Sequence, residues 1–68
     1  MDFYEAYLAR YLEAEPSVRA ASKEHWLKNH KANLKSKVHE QVIFSAQILA
    51  MIALGDSILA EKVKGESA

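Results

Sequence analysis

The chain has 68 residues, half of them hydrophobic and 26% charged, with no cysteine and a formal net charge of zero. That is the composition of one globular domain, near the lower size limit for burying a core unaided, and it excludes a disordered chain. Without cysteine there is no disulfide framework and no thiolate metal site, so oligomerisation is the common remedy left for a small core. The missing cysteine fits a reducing cytoplasm. The opening Met1-Asp2 leads into an amphipathic pattern and not into the basic start and apolar run of a signal peptide. The apolar run Val42–Leu54 is about 13 residues, short of the roughly 20 that span a bilayer. The expectation is therefore a soluble, cytoplasmic protein with no membrane contact.

Charge is unevenly spread. Residues 1–15 carry Asp2, Glu5, Glu13 and Glu15 against Arg10, a balance of −3. Residues 16–39 carry Arg19, Lys23, Lys28, Lys31, Lys35 and Lys37 against Glu24, a balance of +5. Residues 40–68 carry Glu40, Asp56, Glu61 and Glu66 against Lys62 and Lys64, a balance of −2. A basic middle lies between acidic ends. Either the segments neutralise one another across the fold, or the middle meets an acidic partner.

Residues 2–14 predict a helix, because Phe3, Tyr4, Tyr7, Leu8, Tyr11 and Leu12 form one continuous apolar face. Asp2 and Glu5 suit the positive end of its dipole. The face is strongly aromatic. It either packs on the rest of the chain with its hydroxyls at the wet rim, or anchors another protein. Glu15-Pro16-Ser17 then punctuates the chain. Proline disfavours helix in the residue before it and suits the first turn of a new one, so a bend is expected at Ala14–Pro16.

The second segment, Ser17 to about Leu34, is helical by propensity but weakly amphipathic. Trp26 either covers the core near the bend or anchors a partner. A reversal is expected within Lys31–Ser36, with Asn33 as a left-handed cap and Ser36 as the next N-cap. A single helix from Ser17 to Val63 is the alternative, but it would leave the apolar run harder to cover.

The last helix is expected over Lys37–Lys64, continuing through Gly55-Asp56-Ser57, with residues 65–68 a cap and a frayed tail. Its apolar residues leave almost no polar sector, and a helix apolar all round must be covered all round. His39, Ile43, Ala46, Ala50, Ala53, Ser57 and Ala60 form a stripe at alternating spacings of four and three, small from Ala46 onward. Small side chains let two helix axes approach closely. Val42, Leu49 and Ile52 run beside the stripe, with Phe44, Ile48, Met51 and Ile58 opposite. One face is expected to take the N-terminal helix and the other a second copy.

The residues carry no recognisable chemistry. His25, His30 and His39 are five and nine apart, which puts no two imidazoles on one helical face as metal ligands. No glycine-rich loop or cysteine nucleophile is present, and the serines lack a nucleophile motif. Lys28, Lys31 and Lys35 share a face, with Arg19 and Lys23 upstream, which would suit phosphates or an acidic protein. The acidic first helix argues against anionic lipid.

In length, all-helical makeup, missing cysteine, the aromatic Phe3–Leu12 face and the apolar Val42–Leu54 helix, the chain resembles the small phage-encoded anti-activator proteins that bind host transcription regulators. The resemblance spans the chain without a shared motif, so no site residue is carried over. It implies a homodimer whose exposed helices bind and block a host regulator, with that regulator's DNA-binding domain as one target.

The expected fold is all-α: a helical hairpin, made of a short first helix, a bend at Pro16, a second helix and a long last helix, assembling as a homodimeric bundle. The expected function is a non-enzymatic protein-binding module that inhibits or regulates a partner, such as a transcription regulator, by occupying its surface. The alternatives are a nucleic-acid-binding or architectural protein using segment 19–37, and a small subunit or chaperone of a larger assembly. Val42, Ala46, Leu49, Ala50, Ala53, Ser57 and Ala60 are the expected dimer interface. Tyr4, Tyr7, Arg10, Tyr11, Trp26, Lys28, Lys31 and Lys35 are the partner-binding candidates. No catalytic residue, metal, cofactor or small-molecule substrate is expected.

Overall fold

The computed structural model describes residues 2–67, with side chains as far as Gly65. Three α-helices and no strand occur among them: α1 over Phe3–Glu13, α2 over Pro16–Ser36 and α3 over His39–Ser67. Asp2 lies just before α1 rather than in its first turn, and its carboxylate accepts the Glu5 N–H at 2.9 Å. That satisfies one of the donors a helix start leaves unpaired. Ala14 and Glu15 are both extended, and Pro16 opens α2, so the bend falls where the sequence places it. The Arg19 guanidinium reaches back to donate to the Ala14 carbonyl.

The second break differs from expectation. Asn33 is helical, and the Ser36 hydroxyl donates back to the Asn33 carbonyl at 3.1 Å instead of capping a new helix. Lys37 takes the left-handed conformation, with φ 60° and ψ 27°, and its N–H donates to the same carbonyl. A non-glycine residue there costs about 1–2 kcal/mol. The Asn33 side chain is committed to bonds with α3 that require it on the α2 helix, so the break comes four residues later. A single helix from Ser17 to Val63 is ruled out. Helix α3 passes through Gly55 as expected, but it also passes Gly65, where a cap was expected, and runs to Ser67. Ala68 lies outside the described residues.

Contacts fix the directions. Phe3 packs on Phe44 with ring centroids 5.6 Å apart, while Tyr11 reaches Asp56, so α1 runs parallel to α3. Lys23 meets Asp56, His30 meets Ser45 and Asn33 meets Gln41, so α2 runs antiparallel to it. Helices α1 and α2 both pack on α3 and only marginally on each other. The buried core is Tyr11, Ile48 and Ile52, with Tyr4, Tyr7, Trp26, Leu49 and Leu59 packed against it. Ile52 was expected beside the small-residue stripe and Ile58 opposite it. Instead Ile52 stacks one turn above Ile48 in the core, and Ile58 is 40% exposed. At 100° per residue, Ile58 lies about 80° off Ile48 and faces the flank.

The molecule measures 46 × 25 × 16 Å. A helix with side chains is about 10–12 Å across, so a body this thin covers α3 from one side only.

Candidate functional site

Two faces of α3 have opposite fates. Ser45, Ile48, Ile52 and Gly55 turn inward and are buried. Ile43, Ala46, Gln47, Ala50, Ala53, Leu54 and Ser57 turn outward and are exposed. Between Glu40 and Glu61 the one ionisable residue is Asp56, and it faces Lys23. The outward face is thus uncharged for about 30 Å of helix. Ile43 and Leu54 are each 45% exposed on it. Of the expected interface, Ala46, Ala50, Ala53, Ser57 and Ala60 lie exposed, while Val42 and Leu49 are half-buried on the flank. The stretch His39–Gly65 is also long and apolar enough, by length and composition alone, to cross a membrane. Only 22% of its most apolar window is buried. The unbroken apolar run is shorter than this stretch because Gly55, Asp56 and Ser57 interrupt it, and of these only Asp56 is ionisable.

Helix α1 is pinned to α3 beside that inward face. The Tyr11 ring is 4% exposed and lies on Gly55, where an added Cβ would sit 2.6 Å from Cδ1 and 3.0 Å from Cε1. Only glycine admits the ring so close. The Tyr11 hydroxyl donates to Asp56 Oδ1 at 2.6 Å, and Lys23 Nζ meets Asp56 Oδ2 at 2.5 Å, so one carboxylate joins all three helices. The hydrogen bond from Lys23, then that from Tyr11, holds the Asp56 carboxyl below its ordinary value against the opposing pull of burial. Burial, then the hydrogen bond to Asp56 and its charge, pushes the Tyr11 hydroxyl up to about 12. The Tyr7 hydroxyl is buried beside Ser22 and Trp26 without a well-formed hydrogen bond; burial pushes it up, and those two neighbours offset part of the rise. These hydroxyls are not at a wet rim.

A second polar cluster joins α2 to α3. The Ser45 hydroxyl, 0% exposed, donates within α3 to the Gln41 carbonyl at 3.0 Å or the Val42 carbonyl at 3.2 Å. It also accepts from Asn33 Nδ2 at 3.2 Å and lies 2.7 Å from His30 Nδ1, an imidazole nitrogen whose role as donor or acceptor is set by its tautomer. The Ser45 hydroxyl thus clasps α2 to α3 through the His30 ring and the Asn33 amide. Asn33 Nδ2 also lies 3.0 Å from Asn29 Oδ1 and 3.1 Å from the Gln41 carbonyl. Sequence reasoning missed both clusters. The available signals were Ser45 interrupting an apolar run, and Asn29, His30 and Asn33 along one side of α2.

The partner-binding candidates separate. Tyr11 is core and unavailable to a partner, a correction that follows from its ring filling the space above Gly55. Tyr4, Tyr7 and Trp26 are half-buried; Tyr4 and Trp26 both pack on Phe44, at 6.1 and 5.7 Å. Arg10, Lys31 and Lys35 are exposed, as is Lys28, which pairs with Glu24 at 3.2 Å. Arg19 and Lys23 are spent inside the fold. An open groove of about 390 Å³ lies among Trp26, Asn29, Asn33, Glu40, Gln41 and Phe44. Among the described residues, no group of three or more His, Asp or Glu side chains is placed to hold a metal ion. Compared with known proteins, the chain matches no family model, no curated protein and no solved structure.

Proposed function

We propose that this chain is a non-enzymatic helical module that works as a homodimer. It regulates a partner protein, such as a transcription regulator, by occupying that protein's surface. In this reading α2 and α3 form a helical hairpin with α1 alongside, and two such units share a bundle. The observation that carries it is the uncharged outward face of α3. An apolar face about 30 Å long on a soluble chain marks an interaction site. Its small residues fit another helix better than they fit solvent. With that face taken by a second copy, α1 and the outer side of α2 remain for the partner. There Asp2, Glu5 and Glu13 offer an acidic patch, and Lys31 and Lys35 a basic one. The Lys28–Glu24 pair is exposed and worth well under about 1 kcal/mol, so Lys28 remains free to change partners.

Light scattering at micromolar concentration tests the dimer, with twice the chain mass expected. A cooperatively folded monomer overturns it. For the regulatory half, the wild type and a Lys28→Glu/Lys31→Glu/Lys35→Glu variant are compared for repression of a host promoter panel, and an acidic-patch variant is run beside them. No repression by any of them rejects the reading.

Lipid contact is the competing reading, favoured by the length of α3. Flotation with neutral and anionic vesicles decides it. Segment 19–37 as a nucleic-acid surface is weakened because Arg19 and Lys23 are engaged within the fold. Saturable duplex binding with a steep salt slope would restore it.

A further inference from the structure

The geometry points to an antiparallel two-fold pairing of α3 helices, with the axis passing over Ala50. This rests on the dimer reading above and adds direction and register to it. About Ala50 the outward face is lopsided: Ile43, Gln47 and Leu54 are matched at equal distance on the other side by Ser57, Ala53 and Ala46, so the two possible directions differ sharply. In a parallel pair each residue meets its own copy at the same height. Ile43 would then meet Ile43 and Leu54 would meet Leu54, while Ala46, Ala50 and Ser57 would face one another across gaps. Bulk against bulk props two helices apart exactly where alanines need them close, and gaps forfeit dispersion contacts.

Turning one copy end for end about Ala50 resolves this. Ile43 then lies over Ser57, Leu54 over Ala46, and Ala50 over its own copy on the axis, where only a small side chain fits. Except at the layer on the axis, where alanine meets alanine, large meets small at every layer, which is how well-packed helix pairs interdigitate. The ends agree with the middle. In the parallel arrangement Glu61 faces Glu61 and Lys64 faces Lys64. In the antiparallel one Glu61 lies opposite His39, at the positive end of the other helix. The uncharged length between Glu40 and Glu61 is thus covered by itself, without burying a carboxylate.

The absence of native cysteine makes a direct test simple. Ile43→Cys and Ser57→Cys are made singly, on exposed positions, and their folding is checked by circular dichroism. Each is oxidised alone and then in an equimolar mixture, with one carrying a mass tag. A disulfide needs Cα atoms within about 7 Å, and residues 43 and 57 are about 21 Å apart along a helix. The antiparallel pairing gives at least about tenfold more mixed than self-linked product. Self-linking of each variant alone means a parallel pair; it overturns this inference and leaves the dimer reading standing. A dimer mass with no linkage of either kind places the interface elsewhere and also overturns it. A monomer mass removes both, and co-flotation with vesicles then assigns the face to lipid. Ala46→Cys with Leu54→Cys, about 12 Å apart along the helix, reads the same register independently if Ile43→Cys does not fold.

Discussion

The two sides of α3 are built from similar residue types and do opposite jobs. Inward, each position accepts one solution: Gly55 because the Tyr11 ring lies on it, Ser45 because an imidazole, an amide and a carbonyl meet at its hydroxyl, Ile48 and Ile52 because they fill the space between α1 and α2. Outward, Ile43, Ala46, Ala50, Ala53 and Leu54 have no such constraint within one chain and lie in solvent. A helix apolar on all sides therefore divides its labour. One side specifies the fold through close fits and satisfied polar groups, and the other presents generic small and branched side chains suited to association.

The sharpest test of that division sets Ile48→Ala against Ala50→Glu. Truncating a fully buried isoleucine costs about 2–5 kcal/mol. A core of this size supplies only about 3–5 kcal/mol, so Ile48→Ala abolishes the cooperative melt near room temperature. Ala50→Glu keeps the helical content of the protomer and halves the mass seen by light scattering. If Ala50→Glu leaves mass and melting untouched, the outward side has no role in assembly.

The glycines give the next contrast. Gly55→Ala gains helix propensity but drives a Cβ into the Tyr11 ring, which can yield only by moving off Asp56. Overpacking of this kind costs about 1–3 kcal/mol. At Gly65 an added Cβ meets nothing within 4 Å, so Gly65→Ala is neutral or stabilising by up to about 1 kcal/mol. Thermal melts of the two should move in opposite directions. The serines repeat the logic on a smaller scale. Ser45→Ala leaves the His30 ring and the Asn33 amide without their shared hydroxyl and costs about 1–2 kcal/mol, whereas Ser57→Ala stays within about 0.5 kcal/mol. Equal denaturant midpoints for these two would mean the Ser45 clasp contributes nothing.

Legibility in the sequence followed the same division. Helix number, the Pro16 bend and the outward position of Ala46, Ala50, Ala53, Ser57 and Ala60 were readable, because proline geometry and helical periodicity act locally. The inward fits were not. Nothing near Gly55 in sequence says that Tyr11 will lie on it, because the two are 44 positions apart and the fit exists only once α1 is docked. Asn33 was read as a break because its local preference favours a left-handed cap. Its bonds to α3 overrode that preference and moved the left-handed residue to Lys37. Tyr11 was left between core packing and partner contact for the same reason: an aromatic face predicts contact without saying with what.

The smallest expected effect is the pH dependence of the pin between α1 and α3. Tyr11 titrates near 10 in the unfolded chain and is pushed up to about 12 when folded. Its protonated hydroxyl thus contributes stability that is whole below pH 10 and is lost as pH rises toward 12. Asp56 works in the other direction. Its folded pKa lies below 3.8, so its contribution is present above that value and is lost as the pH falls through the folded pKa. Tyr11→Phe removes the alkaline dependence and costs about 0.5–1.5 kcal/mol at neutral pH, while leaving the Lys23–Asp56 pair in place. The urea midpoint of the wild type should therefore lie above that of the variant at pH 8, meet it as the pH climbs past 10 and fall below it by pH 12. If the two run parallel across that range, the Tyr11–Asp56 bond holds no more than the ring alone.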